Sequence, residues 1–152
     1  MSLHVLFKVG DSDYVVPAAA VMQMDSFTGA TPVPGAPPYV RGIVQIRGRV
    51  IPVVDLRTRF GLPPIERTLD ARIIVVRAGD RHVGLLADSA REVLVIADDQ
   101  FSPPPDIVVE QSRGFVNAIA HAGKRIVMRL RFESVVTPDV IAVQEQSHGH
   151  KA

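Results

Sequence analysis

The sequence predicts an all-β protein made of two similar barrels of about five strands each, with only short helices. The first observation is a duplication: the segment YVRGIVQIRGRVIPVVDLRTRFG, residues 39–61, returns in weakened form at residues 115–136 without a gap. The second is a series of about ten short apolar runs separated by turn residues. The third is size, because a unit of about 70 residues has a thin core and is stabilised by packing on its twin.

The first half opens with a predicted hairpin. Apolar and polar residues alternate over residues 3–9, a turn follows at residues 10–13, and residues 14–16 return as a strand. Residues 18–24 fit either a strand or one helical turn, because three alanines begin the segment. The Gly- and Pro-rich residues 26–38 are expected to form a surface loop.

A second hairpin is predicted from residues 43–46 and 50–54, around the turn Arg47-Gly48-Arg49. Pro52 lies inside the returning strand, which indicates an edge position or a bulge because proline donates no ladder hydrogen bond. Asp55 is a candidate N-cap for a short helix at residues 56–60, which Gly61 ends.

The second half repeats this order and adds a terminal helix. Thr137 followed by Pro138 is a helix-start signal, so a helix is predicted over residues 138–146, before a flexible tail at 146–152. The remaining predictions are strands at residues 69–76, 82–87, 92–97, 116–120 and 125–130, and a rigid proline loop at 102–106. We expect one domain over residues 1–145. Its first subdomain would span about 15–66 plus the closing C-terminal segment, and its second about 67–135.

Composition argues against several classes of function. The net charge is +1, which gives no strong attraction to nucleic acid or anionic membrane. The chain has no cysteine, so disulfides, thiolate nucleophiles and thiolate metal sites are excluded. The first residues show no secretory signal pattern, and the longest apolar runs, such as residues 73–76, are too short to span a bilayer. We therefore expect a soluble cytoplasmic protein.

No catalytic or metal-binding constellation stands out. His148 and His150 have a ligand-like spacing, but they lie in the polar tail, where a solvated segment is the better interpretation. The aspartates mostly fall at turns and helix starts, and the serines lack a nucleophile-elbow context. We predict no enzyme activity, no metal and no cofactor.

Five arginines fall within one short segment, with a single aspartate opposing them. One interpretation is a basic patch for RNA in a small β-barrel, although few aromatic residues accompany it. A second is a solvated hairpin tip, and a third, which we favour, is an arginine-rich protein interface. The arginines are Arg41, Arg47, Arg49, Arg57 and Arg59.

Apolar residues around the first loop exceed what one small barrel needs. Most of them are expected to be core, but some are candidates for a groove between the halves that would take an amphipathic helix. They are Val21, Met22, Met24, Ala30 and Val33.

Three segments resemble the CheW-like domain family, in the family's order and over nearly the whole chain. They are the opening FKVGDSDYVVPAAAVMQM, the duplicated segment at residues 39–61 and HVGLLADSAREVLVIADDQFSPPP. The resemblance implies two five-stranded SH3-like barrels. It also implies a non-enzymatic chemotaxis adaptor that couples the cytoplasmic tip of methyl-accepting chemoreceptors to the regulatory domain of the histidine kinase CheA. Such an adaptor would lie in the cytoplasm, in receptor arrays at the inner membrane.

The resemblance also implies interaction residues. Gly42 and Ile107 fall where the family meets the kinase, and Gly42 fits either a close backbone approach or a bulge. Gln23 stands where the family usually has a Glu that can face Arg47, so that the mutual neutralisation of this pair is lost. The receptor-facing positions, or positions that support them, are Val21, Gln23, Arg47, Ile73, Gly84 and Val93.

Overall fold

The computed structural model describes residues 2–64 and 68–135, and within them the chain is mostly strand. The strands are β1 Ser2–Val9, β2 Ser12–Pro17, β3 Val21–Ser26, β4 Val40–Ile46, β5 Arg49–Asp55, β6 Arg72–Ala78, β7 Arg81–Ala87, β8 Ser89–Ile96, β9 Phe101–Ser102, β10 Val116–Ala122 and β11 Arg125–Leu130. Three short helices are α1 Leu56–Arg59, α2 Asp106–Gln111 and α3 Phe132–Val135.

The strands form two sheets that confirm the predicted two-barrel fold. Barrel 1 has the strand order β3-β6-β7-β5-β4, and barrel 2 has the order β8-β1-β2-β11-β10-β9. The duplication relates the two orders strand by strand. Taken in order, β8, β1, β2, β11 and β10 of barrel 2 correspond to β3, β6, β7, β5 and β4 of barrel 1. The bulges agree as well: β4 is irregular between Val40 and Gly42, and β10 between Val116 and Ala118. The short β9 adds a sixth strand to barrel 2.

The two copies exchange their opening hairpins. β1 and β2 belong to the first copy but pair with β8 and β11 of the second. β6 and β7 belong to the second copy but pair with β3 and β5 of the first. The sheets therefore do not divide the chain near residue 66, where we expected the subdomain boundary, because pairing follows the exchange and not the order of the copies.

Three apolar clusters hold the barrels together. The interior of barrel 1 includes Ile51, Val53 and Ile73, and the interior of barrel 2 includes Leu6 and Val15. A larger shared core lies between the barrels and takes side chains from both sheets. Neighbouring residues of β1, β2, β6 and β7 alternate between a barrel interior and the shared core, because side chains on a strand point to opposite faces. Burial on both faces explains the apolar runs within these strands, such as residues 5–7 of β1 and residues 73–76 of β6.

The second hairpin shows how proline fits inside a paired strand. A two-residue turn at Arg47 and Gly48, both with positive φ, joins β4 to β5. Counting back from this turn, Pro52 opposes Ile43 in a pair without mutual hydrogen bonds. Ile43 instead bonds Thr31 on its other side. Pro52 is thus neither on an edge strand nor at a bulge itself, although a bulge lies next to it.

The local predictions had mixed outcomes. Asp55 caps α1 as expected, its carboxylate accepting hydrogen bonds from the backbone of Arg57 and Thr58. Residues 18–24 contain both alternatives, a 3-10 turn at Ala18–Ala20 followed by β3. Helix α2 follows the proline loop and was not predicted. The predicted helix over residues 138–146 and the tail at 146–152 lie outside the described residues.

Charged side chains also join the two barrels. Asp88, after β7, accepts hydrogen bonds from the Gly10 amide in the β1–β2 turn and from the Arg57 guanidinium of α1. The Arg59 guanidinium lies between the rings of Tyr39 and Phe115, at 4.1 and 4.9 Å from their centroids. Tyr39 and Phe115 occupy equivalent positions in the two copies, so Arg59 lies where the copies meet.

Candidate functional site

One candidate surface is a set of apolar side chains on β1, β3 and β8 at the margin of the shared core, which we call the inter-barrel groove. Strand register places its walls. Met24 on edge strand β3 opposes Ile74, and Leu3 on β1 opposes Val95 on edge strand β8; Val93 opposes Val5. Because cross-strand partners share a face and Ile74 and Val5 belong to the shared core, all four wall residues face the shared-core side. The walls are Leu3, Met24, Val93 and Val95, and Val21 packs against the core beside them.

The groove walls are apolar and solvent-exposed. The exposed fractions are 53% for Leu3, 42% for Met24, 55% for Val93 and 59% for Val95. Isolated exposed apolar residues are ordinary on protein surfaces, but a set that continues a buried core to the outside marks an interaction surface. Edge strands β3 and β8 occupy equivalent places in the two barrels, so the two walls are related by the duplication.

A second candidate surface is the barrel 1 cleft, which lies between the two edge strands of that sheet, β3 and β4. Its volume is about 780 Å³, within the usual range for ligand and peptide pockets. The walls are β3, the following segment at residues 28–31, and β4 with its turn. Ile73, whose side chain belongs to the barrel interior, lies at the floor.

Two oppositely charged groups line this cleft. The Gln23 amide donates a hydrogen bond of 2.6 Å to the Asp25 carboxylate on the same face of β3. Arg47 lies on the β4–β5 turn, is exposed, and makes no ion pair with any residue in the described ranges. Position 23 therefore carries no carboxylate here, and the cleft has one at Asp25, two residues further along the strand, which bonds Gln23.

Gly84 shapes the floor of the cleft from below. A Cβ at this position would lie 2.7 Å from the Cγ2 atom of Ile73 and 3.5 Å from that of Val53. The absence of a side chain on β7 thus makes room for branched residues on the two adjacent strands. Gly84 is buried and lies beneath the cleft.

Gly42 allows another part of the chain to approach β4. It has a φ of +142°, and a Cβ there would lie 2.1 Å from the carbonyl oxygen of Thr31. Thr31 and Ile43 exchange two backbone hydrogen bonds of 2.9 and 2.8 Å across this contact. The β4 bulge and the close approach of Thr31 occur at the same residue.

The implied interaction residues therefore fall in separate places. Gln23, Arg47 and Ile73 line the barrel 1 cleft with Gly84 beneath, whereas Val21 and Val93 belong to the inter-barrel groove. Ile107 is on α2 and 65% exposed. Sequence reasoning missed Leu3, Asp25 and Val95; the alternation of residues along each edge strand would have signalled them once the strand pairing was known.

The arginine segment is largely occupied by internal contacts. Arg41 pairs with the buried carboxylate of Asp55 at 3.0 Å, Arg57 pairs with Asp88, and Arg59 stacks between two rings. Arg47 and Arg49 remain exposed at the turn. Three of the five arginines thus hold the fold together, and the RNA-binding interpretation has no support.

Two histidines in the described residues have lowered pKa values. Burial lowers the pKa of His4, whose ring lies 5.2 Å from that of Phe101, and the nearby Arg129 lowers it further. Burial, with help from Arg49 and Arg77, also lowers the pKa of His82. In the described part of the chain, no three His, Asp or Glu residues are grouped so that they could hold a metal ion. The described helices include none that is long and apolar enough to cross a membrane.

Two SH3-like barrels with a shared core and apolar side chains on equivalent edge strands define a class of small β-barrel interaction modules. The chain belongs to the CheW-like domain family, whose model matches residues 3–139. This is a family of chemotaxis scaffold proteins, and the resemblance in the sequence is confirmed.

Characterised relatives agree with this assignment. Chemotaxis protein CheW of Rhizobium meliloti is 36% identical over 131 residues, covering 86% of this chain and 84% of the relative. Chemotaxis protein CheW of Helicobacter pylori is 31% identical, covering 88% and 80%. The crystal structure of the scaffolding protein TtCheW from Thermoanaerobacter tengcongensis superposes with a TM-score of 0.81 at 28% identity, covering 90% and 88% of the two chains.

Proposed function

We propose that this protein is a non-enzymatic adaptor that couples methyl-accepting chemoreceptors to the histidine kinase CheA. The observation that carries the proposal is the pair of apolar walls of the inter-barrel groove. A protein of a chemotaxis scaffold family that exposes apolar side chains above a shared core has a surface suited to partner proteins.

The groove fits the apolar stripe of a helix. Its walls lie on edge strands β3 and β8 and on β1 beside β8, at the margin of the shared core. Amphipathic helices bind apolar surfaces of this kind through apolar residues at every third or fourth position. The hairpin tip of a chemoreceptor is the helical partner in this proposal. Val21 and Val93 are its contact residues, joined by Leu3, Met24 and Val95 on the same faces.

The other implied residues support separate roles. Gly42 acts indirectly on the kinase contact by holding the Thr31 crossing against β4, whereas the exposed side chain of Ile107 on α2 is a direct contact with the kinase regulatory domain. Arg47, Gln23 and Ile73, supported by Gly84, form a further receptor-facing set in the barrel 1 cleft. The adaptor would act in the cytoplasm, within receptor arrays at the inner membrane.

Binding assays with single variants test this division of surfaces. An aspartate at Val93 would bury an unpaired charge against an apolar helix, which costs several kcal/mol, so we expect receptor-tip binding to fall by at least tenfold. The same variant is expected to bind the kinase regulatory domain normally, and Ile107→Asp is expected to show the reverse pattern. Equal loss of both partners in either variant, or no effect in either, contradicts the proposal.

A further inference from the structure

The barrel 1 cleft combines an unpaired strand edge, an apolar floor and a free cation. Barrel 1 is an open sheet, because among the described strand pairings β3 and β4 each have one neighbour and do not pair with each other. Unpaired edges of this kind accept an additional strand through main-chain hydrogen bonds. The cleft lies along the open side of β4.

The chain itself shows that the outer edge of β4 is competent for pairing. Thr31 forms an isolated antiparallel bridge with Ile43, with hydrogen bonds in both directions. The chain then diverges, since Gly29 and Ala30 line the cleft across from β4 instead of continuing the ladder. Thr31 thus pairs with a single residue of the β4 edge, Ile43, and does not pair with the residue that presents the next outward-facing backbone groups.

That residue is Gln45. The turn at Arg47 and Gly48 makes Ile46 and Arg49 a hydrogen-bonded pair, so Gln45 and Val50 form a pair without mutual hydrogen bonds. The backbone N–H and C=O of Gln45 therefore point away from β5 and into the cleft. They have the same orientation as those of Ile43, two residues earlier, which Thr31 satisfies.

We propose that the barrel 1 cleft binds an extended segment of a partner protein, which adds to β4 as a strand by pairing with Gln45. The segment runs antiparallel to β4, as Thr31 does, so its amino-terminal end lies beside Arg47. An acidic side chain there pairs with the free guanidinium, and an apolar side chain contacts the floor formed by Ile73 and its neighbours Val44 and Ile46.

This surface is distinct from the inter-barrel groove. Gln23 and Asp25 face the barrel interior because they oppose Val75 and Ile73, whereas Met24 faces the shared-core side. Alternate residues of β3 thus serve the two surfaces. This inference rests on the partner-facing role proposed above for the cleft, and a strand-binding cleft would let the protein hold an extended partner segment while a helix occupies the groove.

The test uses two eight-residue peptides of alternating threonine and valine, one beginning with two glutamates and the other with two lysines. Binding to the full chain is followed by amide chemical shifts and hydrogen exchange. We expect the glutamate peptide to slow exchange of the Gln45 amide and to bind at least tenfold more tightly than the lysine peptide. We expect Arg47→Glu to reverse that preference, and Val93→Asp to leave it unchanged.

Gln45→Pro removes the proposed donor while leaving the β4–β5 hydrogen bonds in place, as Pro52 already does opposite Ile43. We expect this variant to lose peptide binding and Gln45→Ala to keep it. If the proline variant fails to fold, a glutamate peptide that is N-methylated at its central residues provides the test, because it lacks the backbone N–H groups for strand pairing and we expect it not to bind. The proposal is overturned by the absence of binding at millimolar peptide, by equal binding of the N-methylated peptide, or by shifts confined to the inter-barrel groove.

Discussion

Replacing Gly42 with alanine tests how barrel 1 is assembled at its open side. Alanine would have to adopt a φ near +142°, a region that costs side-chain-bearing residues about 1–3 kcal/mol. Its Cβ would also lie 2.1 Å from the Thr31 carbonyl oxygen, so the crossing segment has to move and the two Thr31–Ile43 hydrogen bonds are lost. At about 0.5–1.5 kcal/mol for each bond, the total destabilisation is about 2–6 kcal/mol.

Two other glycines separate the contributions. Gly48 has a φ of +76° with no atom near its missing Cβ, so Gly48→Ala measures backbone strain alone, about 1–2 kcal/mol. Gly84 has no unusual φ but lies against Ile73, so Gly84→Ala measures steric overlap alone, about 1–3 kcal/mol. Only Gly42→Ala combines strain with the displacement of another backbone segment.

Urea unfolding of the three variants and the parent protein gives the comparison. We expect Gly42→Ala to lose the most stability and to speed hydrogen exchange of the Thr31 and Ile43 amides, which the two control variants leave protected. For a chain of this size, a loss of about 3 kcal/mol corresponds to a melting temperature lower by roughly 6–12 °C. A Gly42→Ala variant as stable as Gly48→Ala, with both amides still protected, would refute the assignment of Gly42 to the crossing.

Three further predictions concern other parts of the molecule. Because burial lowers the pKa of His4 in the folded state, the unfolded chain binds protons more readily, and the free energy of unfolding should fall as the pH drops below about 6.5. We expect His4→Phe to weaken that pH dependence, as measured by urea unfolding between pH 5 and 8, and an unchanged pH dependence would contradict this role of His4. Asp88→Asn keeps the acceptor for the Gly10 amide but loses the charge that faces Arg57, so we expect the free energy of unfolding to fall by about 1 kcal/mol. Asp88→Ala removes both contacts and should lower it by about 2–3 kcal/mol. Equal losses in urea unfolding would show that the hydrogen bond to Gly10 contributes nothing. Val93→Asp should leave the melting temperature within about 2 °C because the side chain is exposed, while abolishing receptor-tip binding in a pull-down; a large fall in stability would instead assign Val93 a structural role.

The duplication made the fold class predictable, but it did not show which strands of one copy pair with which strands of the other. Repeated segments at residues 39–61 and 115–136 predict two like units, and the turn residues predict most strands. Nothing in the periodicity of β1 or β6 tells which copy each strand will pair with, because the pattern of apolar residues shows which faces are buried and not which strands are neighbours. The exchange of hairpins is decided by long-range packing in the shared core, which local patterns do not encode.

The candidate surfaces were predictable only in part. Apolar residues in excess of one barrel predicted a groove. Met24 faces the shared-core side and Val21 and Val33 pack against that core, whereas Ala30 packs against the interior of barrel 1. The division of β3 into two faces was not foreseen, because it requires the register with β6 and the bulge between Val21 and Gln23. Helix α2 was missed because three prolines mask a start at Asp106, where the last of them occupies the N-cap.

The proposed function requires this protein to bridge two partners on separate surfaces. Sedimentation of receptor-tip assemblies with the CheA regulatory domain, in the presence and absence of this protein, measures that bridge directly. We expect the kinase domain to sediment only when this protein is present, and we expect either Val93→Asp or Ile107→Asp to abolish its sedimentation. Sedimentation of the kinase domain that neither substitution affects, or a protein that binds neither partner, would show that no such bridge exists.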